Sequence, residues 1–133
     1  MSPAVRLYIA VGLGSGFGAV ARYLVSLALL GQGFPWATLT VNVVGSFLIG
    51  FYATLTEPDG RLFARPATRQ FVLAGFCGGF TTFSIFSLET LRLAEAGRTA
   101  LALTNVMVSV VLWLAAVWVG WKLGERLNRL KGA

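Results

Sequence analysis

Gly75-Phe76-Cys77-Gly78-Gly79-Phe80-Thr81-Thr82-Phe83-Ser84-Ile85-Phe86-Ser87 combines glycines, hydroxyls and phenyl rings in an uncharged setting. It lies within residues 70–88, a run of 19 without Asp, Glu, Lys or Arg. A helix of about 20 such residues crosses the hydrocarbon core of a bilayer. Two adjacent glycines followed by two threonines make poor continuous helix. The expectation is therefore a membrane span broken at its centre. A break frees backbone carbonyls at membrane depth, which is tolerated only inside protein or around a bound ion. Such carbonyls are oxygen ligands suited to a small hard cation.

Working outward, residues 34–56 and 99–121 are also free of charge, and 7–30 carries only Arg22. The sequence thus predicts an all-α membrane protein, a single four-helix domain over 1–133 with spans near 7–30, 34–56, 69–91 and 99–121. Of its 133 residues, 56% are hydrophobic and 12% charged, about half the charged share of a soluble domain. A soluble chain this short could not bury so much apolar surface, so lipid must cover the rest. With no His and a single Cys77, a histidine base, an internal disulfide and a zinc site are excluded. The net charge of +6 sits near the segment ends as membrane anchors, and no nucleic-acid partner is expected. Ala19-Val20-Ala21 imitates a leader cleavage site, but the apolar run continues past Arg22 and three further spans follow.

Gly12, Gly14, Gly16 and Gly18 form two small-residue faces at a spacing of four, which lets helices approach closely. Gly14 to Ala19 also fits a dinucleotide fingerprint, but the strand and later acid that motif needs are missing. With the N-terminus inside, the cytoplasmic cations are Arg6, Arg61, Arg65, Arg69, Lys122, Arg126, Arg129 and Lys131, against Arg92 and Arg98 outside. Eight against two predicts both termini in the cytoplasm.

Polar residues inside the spans carry the functional signal. Arg22 either snorkels to an interface or forms an anion-attracting vestibule. Asn42 either ties helices together or offers an anion a neutral donor, and Asn105 reads as structural. Phe80, Phe83 and Phe86 form one stripe, and Thr81, Ser84 and Ser87 another. Hydroxyls in membrane helices commonly bond their own backbone, and Phe commonly packs. Beside hydroxyls, however, the positive edges of phenyl rings make a dehydrated wall that suits an anion. The acids Glu57, Asp59, Glu89, Glu95 and Glu125 all lie at ends or loops, so passive conduction fits better than proton-driven exchange. No span holds an acid, a base and a nucleophile together, so an enzyme is not expected.

Three motifs in order resemble the Fluc (CrcB-type) fluoride channels: Gly14-Ser15-Gly16-Phe17-Gly18-Ala19-Val20-Ala21-Arg22-Tyr23, Thr38-Leu39-Thr40-Val41-Asn42-Val43-Val44-Gly45, and Gly75 through Glu89. The resemblance covers nearly the whole chain. It implies an antiparallel dual-topology dimer, expected as a homodimer in the inner membrane, exporting cytoplasmic fluoride passively through pores along the subunit interface. It assigns Asn42, Phe83, Phe86, Ser84 and Ser87 to the pore, Arg22 to the vestibule and Glu89 to the pore end. It also implies a structural Na⁺ on the backbone carbonyls of Gly78 and Thr81 from both subunits. Three features depart from the family pattern. Ile85 stands where Thr is usual, and Trp113 where a small residue or Ser is common. The charge bias is the third, because insertion in both orientations needs balanced loops; it leaves open a heterodimer with an oppositely oriented homologue. The alternatives are a small proton-coupled cation or multidrug exporter and a non-transporting membrane scaffold.

Overall fold

The computed structural model describes residues 1–31 and 33–130. Gln32, between the first two expected spans in sequence, and Lys131 through Ala133, with the last of the expected cytoplasmic cations, lie outside the described residues. The elements are α1 (Pro3–Ala28), α2 (Trp36–Leu55), α3 (Pro66–Gln70), a π-helical stretch (Phe71–Cys77), α4 (Gly78–Phe80), α5 (Phe83–Glu95) and α6 (Thr99–Arg129). Four spans, Pro3–Ala28, Trp36–Leu55, Pro66–Glu95 and Thr99–Arg129, are long and apolar enough to cross a membrane. Their limits differ from the charge-free runs because caps set them. Ser2 accepts a hydrogen bond from Val5 N–H ahead of Pro3 at the first helical position, so α1 starts early. Gly97, at φ 74°, ends α5 late, with Arg98 N–H bonding Leu93 C=O at 2.9 Å.

Glycines fix the packing. α1 lies along the first half of the third span, where a Cβ on Gly14 or Gly18 would strike main-chain atoms of Phe71, Phe76 and Phe80. Gly75 and Gly79 answer from the other side against Val11 and Ser15. Among the described residues only this one of the two expected glycine faces is used, since nothing lies within 4 Å of a Cβ on Gly12 or Gly16. α2 and α6 repeat the arrangement, with Gly50 on the Val117 backbone and Gly120 on that of Phe47. Asn128 clasps the end of this pair, donating to Thr54 C=O at 2.9 Å and accepting from Arg61 N–H at 2.8 Å. Arg69 Nε joins the same end by donating to Thr56 Oγ1 at 3.2 Å. Arg92 and Arg98 border a cavity with Gly33 and Phe34, at the other end of the bundle.

The third span is interrupted between α4 and α5. Thr81 (φ −83°, ψ 160°) and Thr82 (φ −154°, ψ 122°) are extended. The glycine pair is not the site of the interruption, because Gly78 and Gly79 remain helical. Thr82 caps the restarted helix, its Oγ1 accepting from Ile85 N–H at 3.2 Å.

Candidate functional site at the interrupted span

An extended pair inside a span exposes backbone groups that must find partners without water. Asn42, projecting from α2, supplies two of them. Its Oδ1 accepts from Thr82 N–H at 2.7 Å, and its Nδ2 donates to Thr82 C=O at 2.9 Å. In an unbroken helix, Thr82 N–H would instead bond Gly78 C=O; the clamp withdraws that donor. Arg22 approaches from α1, its Nε donating to Gly79 C=O at 3.1 Å. Side chains of two different helices thus hold the backbone on either side of Phe80 and Thr81. Gly45 lies one turn from Asn42 and makes room for the Thr81 methyl group.

Beside the clamp is a cavity of about 200 Å³, lined by Asn42, Ser46, Ile49, Thr81, Thr82, Phe83 and Trp113. Phe83 is 70% exposed whereas Phe86 is buried, their ring centroids 5.5 Å apart. Trp113 meets Phe86 edge to face, at 4.9 Å and 73°. The hydroxyl stripe is largely committed to backbone: Thr81 Oγ1 donates to Cys77 C=O at 2.8 Å and Ser87 Oγ to Phe83 C=O at 2.9 Å. Ser84 Oγ shares a 3.3 Å hydrogen bond with Thr82 Oγ1. Asn105 is buried, donating to Thr90 Oγ1 at 2.9 Å and accepting from Ser109 Oγ at 3.4 Å, and so joins α6 to α5.

Of the residues expected at the site, Asn42, Thr81 and Phe83 share this cavity, with Phe86 behind Trp113. Ser84, Ser87, Gly78 and Arg22 do not line it, and Glu89 borders the separate cavity with Arg92 and Arg98. Sequence reasoning missed Ser46 and Ile49, although spacings of four and seven from Asn42 put all three on one helix face. Thr82 was hidden for another reason. Its part in the clamp is played by its backbone, which its residue type does not disclose.

The family model described as CrcB-like protein, Camphor Resistance (CrcB), matches residues 9–121. The chain is 60% identical over 126 residues to a Bradyrhizobium diazoefficiens protein described as fluoride-specific ion channel FluC 1, covering 94% of this chain and 89% of that protein. It is 58% identical over 129 residues to the Rhodopseudomonas palustris fluoride-specific ion channel FluC 1, covering 95% and 92%. With the Opitutus terrae fluoride-specific ion channel FluC it shares 50% over 132 residues, covering 97% and 100%. The matched region contains the second and third spans whole, most of the first and fourth, and the Asn42 clamp, and this multi-pass membrane protein belongs to the CrcB-like family.

Proposed function

We propose that this chain is a passive fluoride channel that lets cytoplasmic fluoride leave down its gradient, the ion passing the interruption in the third span. The observation that carries this reading is the cavity where Asn42 grips Thr82 beside Phe83. Fluoride is small and strongly hydrated, so its water must be replaced by donors at close range. Asn42 keeps a second Nδ2 proton beyond the one given to Thr82. The positive edge of Phe83 and the N-terminal end of α5 add partial charge of the right sign. None of these groups carries a full charge, so an ion can bind and still leave. Phe86 backs the ring wall; Ser84 and Ser87 supply hydroxyls along the path once they rotate from their present partners. Arg22 concentrates anions in a vestibule, and Glu89, beside Arg92 and Arg98, marks the pore end.

The proposed assembly is an antiparallel homodimer in the inner membrane. A structural Na⁺ is proposed at its centre on the carbonyls of Gly78 and Thr81 from both subunits. Two features fit such an ion: Gly78 C=O has lost its helical donor to the clamp, and Thr81 leaves the helix in extended form. The ion would neutralise these carbonyls and hold the subunits together. A heterodimer with an oppositely oriented homologue is the second reading, favoured by the basic residues gathered at one end. Ion release from liposomes containing the purified chain alone tests the proposal. Fast fluoride release without chloride release is expected; a folded protein that releases neither ion in this assay overturns the homodimeric channel.

A further inference from the structure

Most donors around the Asn42 cavity are already spoken for. One Asn42 Nδ2 proton goes to Thr82 C=O, the Thr82 N–H goes to Asn42 Oδ1, and the Thr81 hydroxyl goes to Cys77 C=O. Trp113 is different. Its Nε1 is buried and has no hydrogen-bond partner among the described residues, while its ring lines the cavity with Asn42, Thr82 and Phe83. The other buried side-chain atom in that condition is Glu89 Oε2, an acceptor bordering a different cavity.

A buried donor left unpaired is costly, and native structures that keep one do so for a reason. An indole N–H donates and cannot accept. That N–H therefore suits an anion, with no fixed charge to trap it. The ring rests edge to face on Phe86 at 4.9 Å, which keeps the indole at the cavity wall. Its apolar body continues the wall begun by Phe83 and Phe86.

We propose that the Trp113 indole N–H is a fluoride-binding donor of the pore, an assignment that rests on the channel reading above. A small turn of the indole bares Nε1 to the cavity, where fluoride accepts from Trp113 Nε1–H and from the uncommitted Asn42 Nδ2 proton together. Trp113 is then a specificity-determining residue of this chain, because its donor favours the small, strongly accepting halide while its bulk narrows the path for a larger one.

The test uses the full chain in lipid nanodiscs, labelled with ¹⁵N at the tryptophan indoles and titrated with sodium fluoride against sodium chloride. The chain has four tryptophans, and a Trp113→Phe variant assigns the signal of interest. The expected result is a saturable downfield movement of the Trp113 indole proton with fluoride only, while Trp36, Trp118 and Trp121 stay in place. In liposomes, Trp113→Phe keeps a ring against Phe86 but loses the N–H, and fluoride release should slow about tenfold, the worth of one hydrogen bond. A Trp113 proton that ignores fluoride, as one held on the Phe86 ring face would, overturns the assignment if the wild-type chain still releases fluoride. Absence of release from the wild type overturns the channel reading instead. The wild-type titration stands without the variant; should Trp113→Phe fail to fold, Phe variants of the other three tryptophans assign the signal.

Discussion

Two regions of the third span meet their neighbours in opposite ways. Along its first half, Gly75 and Gly79 interlock with Gly14 and Gly18 of α1, main chain against main chain. A few residues later, at Thr81 and Thr82, the backbone leaves the helix and its polar groups pass to the side chain of Asn42. The first region needs only that nothing intrude, which glycine guarantees in a bilayer. The second opens a cavity and gives up helical hydrogen bonds, which a fold keeps only where an outside partner replaces them. Close packing on one side of Phe80 therefore supports a polar opening on the other.

The sharpest way to break this contrast is to fill the glycine seam. Gly18→Leu drives a side chain into the Phe76 and Phe80 backbones, and loss of folded protein is expected on size-exclusion chromatography. Retention of a monodisperse species would mean that the seam is looser than described. At the opening, Phe83→Ile should leave a folded protein, since that ring is largely exposed in the single chain, yet slow fluoride release by about tenfold or more for want of a ring edge. An unchanged rate would remove Phe83 from the path. Thr82→Ala takes away the α5 cap and the partner of Ser84 while sparing the backbone clamp. Thermal unfolding should register a loss of about 1 kcal/mol, with fluoride release retained. Gly97→Ala lies far from both regions and should likewise cost about 1 kcal/mol for its positive φ, with no change in transport.

The sequence disclosed the spans because exclusion of charge from the bilayer is a composition effect, independent of tertiary detail. The glycine faces were equally visible, but not which would be used: Gly12/Gly16 and Gly14/Gly18 have the same spacing, and only contact with the third span distinguishes them. The site was legible in part. Asn42 and Phe83 stood out as a polar group and an aromatic in an apolar run. Propensity marked the glycine pair and the threonine pair together, without deciding which of them leaves the helix. Asn42, forty positions from Thr82, competes for a backbone donor and moves the extended residues to the threonines. Trp113 was visible only as a departure from the family pattern, because the state of its N–H depends on what surrounds it in three dimensions.

The most direct test of the central claim, that fluoride crosses at the opening held by Asn42, compares wild type and Asn42→Ala in the same liposome release assay. The variant leaves both Thr82 backbone groups without their partner, at a cost of about 1–3 kcal/mol each, so folding is verified alongside. Selective fluoride release by the wild type is expected and, from folded Asn42→Ala, release slowed by about tenfold or more, the worth of a single lost donor. A folded Asn42→Ala protein releasing fluoride at the wild-type rate would contradict it.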